Sequence, residues 1–432
     1  MATSTMAPSS RDEILQAIAR IYRYRMTTTS GGNLSIREPN GDVWITPAGV
    51  DKGALHAEDI VLVRASGEIK GLHRPSSELP FHQSIYAARP DVRAIVHAHP
   101  VALVAFSICR RVPDTRLLYQ SRRTCGEVGL AAYAVPGSGE LGENIAATFA
   151  QGFDCVVLEN HGIVTAGPTL QKAFERFETL EYTARIIIRA SQLGGVRYLD
   201  DAQIAMIPAG AHEAEEITPP ARSTREEQLR RQLSEFVRRA YRQRLMISTQ
   251  GAFSARLDDD TFLITPHAID RSTVAPDEMV LVDNGRRQAG RHPSSSVRNH
   301  GAIYRRQPQV QAIVNAYPIN ATAYGVTNAR FDSRTIPEAW LLLREVNRVP
   351  YGTRFGDGAE LAEQASMRTP ITLLENDGVQ VCGTSVLDAF DRLEVLESTA
   401  EALVAARALG TIAPMPDEVI IELRAKFFPH EC

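Results

Sequence analysis

The chain has 432 residues, of which 44% are hydrophobic, 23% charged and 6% aromatic. That length suits two domains of roughly 200 residues each, and the composition is that of a globular protein with a real core, not a disordered polymer, a collagen or a disulfide scaffold. The 47 basic and 51 acidic residues leave a net charge of −4, so no global basic field invites nucleic acid. No apolar run approaches the roughly 18–20 residues of a membrane span.

The opening MATSTMAPSS reads as a loose tail without a signal-peptide pattern. A helix is predicted over 11–24, RDEILQAIARIYRY, from its apolar spacing. Short strands follow at 33–38, 43–46 and 60–64. A helix over SELPFHQSIYAARP then precedes the apolar strand VRAIVHAH at 92–99. Another helix is predicted at 139–152. The strand CVVLEN leads into a long helix at about 169–192. A second opening helix is predicted at 226–242. Alternating short strands and helices indicate an α/β fold with a central sheet flanked by helices. Five cysteines without a CxxC pair (Cys109, Cys125, Cys155, Cys382 and Cys432) argue against a disulfide framework or an all-cysteine zinc site. They point to a reducing, cytoplasmic setting.

The chain is written twice, at a spacing of about 218 residues. WITP at 44–47 returns as LITP at 263–266, and RPSSELPFHQSIY at 74–86 as HPSSSVRNHGAIY at 292–304. PDVRAIVHAHP at 90–100 returns as PQVQAIVNAYP at 308–318, and VVLENHGIVTAG at 156–167 as TLLENDGVQVCG at 372–383. The echoes are collinear. We therefore expect a first domain at 1–205, a Pro/Ala/Glu-rich linker at 206–224 and a second domain at 225–432.

His97 and His99 lie two apart at the end of an apolar strand, so both project from one face. His161 follows a second apolar strand, and Gly162 lets the chain turn after it. Three imidazoles with an open position make a catalytic zinc arrangement; an HxH alone better suits hydrogen-bonded structural histidines. The repeat discriminates. His97, His99 and His161 become Asn315, Tyr317 and Asp377 together, while their flanks survive. This supports one metal site, in the first copy. Glu78, replaced by Ser296, reads as a general base, a fourth ligand or a helix cap. Ser30, Asn33, Gly49, Ser76 and Ser77 lie in Gly-rich or Ser-cap segments that can offer amides to an anion. The retained Arg298 and His300 are read as helix-surface residues.

SGGNLSIR, ITPAG, SSE, HAHP and ENHG, in that order, resemble the class II aldolase/adducin family over about 190 residues of the first copy. The second copy looks like a degenerate member. The resemblance implies tandem three-layer α/β/α domains, each a central, mainly antiparallel sheet flanked by helices. It implies a divalent metal, zinc first and manganese, iron or cobalt as alternatives, held by His97, His99 and His161. It implies Glu78 as catalytic acid/base, and Ser30, Asn33, Gly49, Ser76 and Ser77 as phosphate-binding positions. Ala48 stands where the family has threonine. Tyr133 matches a proton-donor tyrosine more loosely.

The implied activity is a lyase that cleaves a carbon–carbon bond of a hydroxy-carbonyl or sugar-phosphate substrate through a metal-stabilised enediolate. Decarboxylation of a hydroxylated keto or aromatic acid is the alternative on the same metal. A non-catalytic, adducin-like assembly protein is a further one. The implied partners are a small-molecule substrate and a second copy of the chain, in a homo-oligomer such as a dimer whose domains form a pseudo-tetramer. Neither nucleic acid nor membrane is expected.

Overall fold

The computed structural model describes residues 9–207, 214–219 and 221–429. Most of the expected N-terminal tail, and residues 208–213 and 220 of the expected linker, lie outside these. The chain divides into two compact units. Met1–Thr115 with Gln120–Arg185 forms the first, and Arg116–Tyr119 with Ile186–Cys432 forms the second.

In the first unit, α1 (Ser10–Arg23) starts at Ser9, whose hydroxyl accepts from the Asp12 N–H in a capping box. It buries Ile14, Ala17, Ile18 and Ile21, the i, i+3, i+4, i+7 stripe of an amphipathic helix. Eight strands follow: β1 (Asn33–Arg37), β2 (Val43–Ile45), β3 (Val61–Val63), β4 (Ile69–Lys70), β5 (Ala94–Ala98), β6 (Val128–Ala131), β7 (Cys155–Leu158) and β8 (Gly162–Gly167). They form one sheet in the order β4-β3-β2-β1-β5-β8-β7-β6. Every pairing is antiparallel except β6 with β7.

The sheet is covered on both faces. α2 (Leu79–Ala88) and α5 (Gly139–Ala150) bury Phe81, Ile85, Leu141, Ile145 and Phe149 against Ile45, Ile95, Val156 and Val164. Each such fully buried side chain contributes about 1.5–3 kcal/mol. On the opposite face, Thr165 of β8 donates to the Ala173 carbonyl of α6 (Leu170–Gln192) at 2.8 Å. Arg20 of α1 lies 4.3 Å over the Phe174 ring of the same helix. Between β5 and β8 come α3 (Val101–Ile108) and α4 (Tyr119–Cys125). Glu181 of α6 is fully buried. It accepts from the Leu103 N–H at 3.2 Å and from Arg185 at 2.7 Å. A carboxylate at a helix N-terminus is favourably placed, and this one pins α3 just after the histidine-bearing end of β5.

The second unit repeats the pattern with a nine-stranded, mainly antiparallel sheet. Its strand Ala252–Arg256 lies between Thr261–Ile264 and Ala312–Ala316, as β1 lies between β2 and β5. There Glu397 takes the place of Glu181, accepting from the Asn320 and Ala321 N–H groups at 2.9–3.0 Å. Among the described residues no helix is long and apolar enough to cross a membrane, and Cys109, Cys125, Cys155 and Cys382 are free thiols.

Candidate metal centre

Register brings the site together. Asn33 of β1 pairs with His97 of β5, which pairs in turn with Val164 of β8. Cross-strand partners share a face, so Asn33 and His97 point toward the α2 side. The hairpin from β7 to β8 turns through Glu159, Asn160 and His161, with Asn160 in the left-handed region (φ 52°), a conformation asparagine tolerates. Gly162 is required there, since a Cβ would fall 2.6 Å from the Ala98 carbonyl and 2.7 Å from the His99 ring. His161 is thus delivered beside the end of β5.

One nitrogen from each of His97, His99 and His161 lies within 4.8 Å of the others, so the group could hold a metal ion. His97 Nδ1 donates to the Ile163 carbonyl at 2.9 Å, which leaves its Nε2 lone pair facing His99 Nε2 at 3.1 Å. Two nitrogens 2.0–2.1 Å from one tetrahedral ion would stand about 3.3 Å apart. Burial, with His97 nearby, lowers His99 to about 3 and His161 to about 4, so both rings are neutral near pH 7, the form that ligates. His161 Nδ1 is buried without a hydrogen-bond partner. The donor set fits a divalent metal with nitrogen affinity.

Glu78 stands at the N-cap position of α2, yet its carboxylate makes no capping bond. Its Oε2 lies 3.2 Å from His97 Nε2 and accepts from Asn33 Nδ2 at 2.6 Å; its Oε1 lies 3.5 Å from His161 Nε2. Burial alone would raise this carboxyl. The facing His97, the Asn33 amide and His161 outweigh it and hold Glu78 below the ordinary carboxylate range. The cap reading therefore gives way to a carboxylate directed at the histidine cluster.

The anion-type residues are spread around the same end. Asn33 and Ser76 are buried, whereas Ser30, Gly49 and Ser77 are exposed. The loops carrying them are tied by backbone bonds: Ser76 N–H to Thr46 at 3.1 Å, Ala48 N–H to Arg74 at 3.0 Å, and a Pro47–Pro75 bridge. Gly49 has φ 69° with open space where a Cβ would be. Tyr133 is 53% exposed on the loop after β6, where its N–H donates to Glu159.

The sequence reading missed His82, Ser35 and Tyr86, which back Asn33 with hydrogen bonds of 2.5–2.7 Å. It also misplaced His300. That residue is fully buried, bonded to Ser254 at 2.7 Å and Asn315 at 2.5 Å, and is no surface residue. Arg298 is exposed, as expected. The second unit also holds an unforeseen ion pair where the first has its histidines. Arg354 bonds Asp377 at 2.7 Å and Ser296 at 3.3 Å and lies 5.0 Å over the Tyr119 ring.

The Class II Aldolase and Adducin N-terminal domain model matches residues 12–188 and again 231–404. The chain belongs to that family, in two tandem copies. It is 36% identical over 202 residues to 3-oxo-tetronate 4-phosphate decarboxylase of Pectobacterium atrosepticum, covering 45% of this chain and 91% of that protein. It is 35% identical over 172 residues to L-fuculose phosphate aldolase of Methanococcus maripaludis, covering 38% and 89%. A solved L-fuculose 1-phosphate aldolase is 31% identical, with a TM-score of 0.42 over 47% of this chain and 96% of that one. The family match and the likeness to the decarboxylase and the Methanococcus aldolase support a lyase-type enzyme.

Proposed function

We propose that the protein is a metal-dependent lyase that breaks a carbon–carbon bond beside a carbonyl in a small phosphorylated hydroxy-carbonyl compound. The chemistry belongs to the first copy, taken as 1–205. The second, 225–432, reached through 206–224, is a structural partner. The carrying observation is that Glu78 faces two members of a three-imidazole cluster at 3.2 and 3.5 Å. His97, His99 and His161 would hold the ion, zinc being the first choice for three nitrogens. When bound, it supplies Lewis acidity to a carbonyl oxygen.

The chain's own groups do the rest. Glu78, ionised at rest, takes the proton from the carbon beside the carbonyl before the carbon–carbon bond forms; in cleavage it first takes up a proton and then delivers it to that carbon once the bond has broken. Asn33 holds one carboxylate oxygen and leaves the other toward His161. Ser30, Asn33, Gly49, Ser76 and Ser77 receive the phosphate, and Tyr133 takes the proton from the hydroxyl that becomes the aldehyde oxygen on cleavage and returns it in the reverse direction. Aldol cleavage is the first reading. Loss of CO2 from a 3-oxo acid phosphate is the second, favoured by the likeness to the tetronate phosphate decarboxylase.

The test is turnover of L-fuculose 1-phosphate and of 3-oxo-tetronate 4-phosphate by wild type, chelator-treated protein and Glu78→Gln. Chelation should abolish turnover and added metal restore it. Glu78→Gln should lower kcat by about 10²–10⁴-fold with metal content unchanged. Undiminished turnover by metal-free protein or by Glu78→Gln would defeat the proposal.

A further inference from the structure

We propose that His82 is a positioning residue for Glu78, fixing through Asn33 which atom the carboxylate meets. The proposal rests on the reading of Glu78 as the acid/base group.

The argument runs from the carboxylate inward. Asn33 Nδ2 donates to Glu78 Oε2 at 2.6 Å, which leaves the amide oxygen on the side of His82. Asn33 Oδ1 then faces His82 Nε2 at 2.5 Å and must accept a hydrogen bond from its N–H. His82 is fully buried and touches no carboxylate, so the ring is neutral and its Nδ1 is an acceptor. Ser35 therefore donates to Nδ1 at 2.6 Å and accepts from the Tyr86 hydroxyl at 2.7 Å. Each direction is forced by the one before. Asn33, Ser35, His82 and Tyr86 are all buried, so no water can repair a reversed bond. If the Asn33 amide turned over, its oxygen would oppose the Glu78 carboxylate and its N–H₂ the His82 N–H. His82 excludes that state and keeps the N–H₂ on Oε2.

The second unit shows which part is general. Ser254, His300 and Tyr304 repeat the two inner bonds, with Ser254 at 2.7 Å from both His300 Nδ1 and the Tyr304 hydroxyl. Ala252 stands where Asn33 would be, and His300 Nε2 turns to Asn315, the counterpart of His97, at 2.5 Å. The Tyr–Ser–His segment thus serves the fold in both copies. Only in the copy with the histidine cluster does it extend through an asparagine to a carboxylate.

Two measurements test this. In the zinc-loaded protein with 15N-labelled histidines, two-bond 1H–15N correlation at pH 7 should give His82, identified by its loss in His82→Gln, as the neutral Nε2–H tautomer. A ring protonated at Nδ1, or at both nitrogens, would overturn the proposal whatever the protein turns over. Kinetics on whichever phosphate substrate is accepted supply the second. His82→Met should lower kcat by on the order of tenfold or more, leave KM within about twofold, and keep the metal-to-chain ratio. His82→Gln, whose amide can donate to Asn33 and accept from Ser35, should recover most of the loss. In a Glu78→Gln background His82→Met should cost nothing further, since it acts through that carboxylate. An equal loss in both backgrounds, or a loss confined to KM or metal content, would make His82 structural only. If Glu78→Gln itself retains full turnover, the acid/base reading fails, while the tautomer measurement still decides the hydrogen-bond direction.

Discussion

Replacing Arg354 by methionine tests the claim that the second unit's ion pair occupies the place of the histidine cluster as a structural element. The Arg354–Asp377 bond is 2.7 Å long between side chains only 9% and 4% exposed. Removing the guanidinium leaves a buried carboxylate unpaired, which costs about 3–5 kcal/mol. Asp377 Oδ1 already lacks a hydrogen-bond partner, so little is left to offset the loss. Replacing both residues, as Arg354→Met with Asp377→Leu, removes both buried charges, and such replacements are often near neutral. The double variant should therefore lie well above Arg354→Met, with a coupling of at least about 2 kcal/mol. The assay is urea unfolding followed by tryptophan fluorescence. The chain has two tryptophans, Trp44 and Trp340, one in each unit. A Trp44→Phe background makes the signal report the second unit alone. A cost below about 1 kcal/mol for Arg354→Met, or simple additivity in the pair, would refute the reasoning.

Two further predictions concern buried titratable groups. Burial holds His300 at about 4 in the folded chain, against about 6.5 when unfolded. Between those values the unfolded state binds the extra proton, so stability falls as pH drops from about 6.5 to 4 and is unaffected above. The gap amounts to at most roughly 3 kcal/mol. Glu397, which burial raises to about 7, acts in the opposite sense below that pH, so the check is the difference between wild type and His300→Gln. A difference that does not change between pH 7 and 4.5 would count against it. Glu181→Gln should destabilise the first unit by about 1–3 kcal/mol in urea, because Leu103 N–H and Arg185 lose a charged acceptor. It should also weaken metal binding in a zinc titration, since the anchored helix begins two residues beyond His99; unaltered binding would separate anchor from site.

The parts readable in the sequence were those with local periodicity or an internal contrast. His97 and His99 declare themselves because strand side chains alternate. His161 does so because it ends an apolar run before a glycine. Glu78 stands out by its replacement with Ser296, but a helix cap fits the same sequence, and only the fold shows that the carboxylate makes no capping bond. His82 gave no such signal. It lies in PFHQSIY on a helix whose neighbours are apolar, and Ser35 and Asn33 are nearly fifty residues away in sequence. The clue available was that Ser35, His82 and Tyr86 recur as Ser254, His300 and Tyr304. Reading His300 as a surface residue discarded it. Arg354 was hidden for another reason: TRFGDG looks like a turn, and nothing local says that its cation is buried opposite Asp377.

The rim formed by Thr46, Ala48, Arg74 and Ser76 is tied across by main-chain bonds, and Lys52 Nζ donates to the Pro47 carbonyl beneath it at 2.7 Å. At position 48 the tie is a main-chain one, from the Ala48 N–H to the Arg74 carbonyl, so the contour there does not depend on the side chain. Ala48 occupies a rim position where relatives of this chain are expected to place a hydroxyl. Under the proposed function, such an exchange would alter what the rim can grip while leaving in place the imidazoles, which hang from β5 and the β7–β8 turn. On that proposal, an exchange at position 48 would change selectivity for the far end of a substrate while the reacting end stayed as it is.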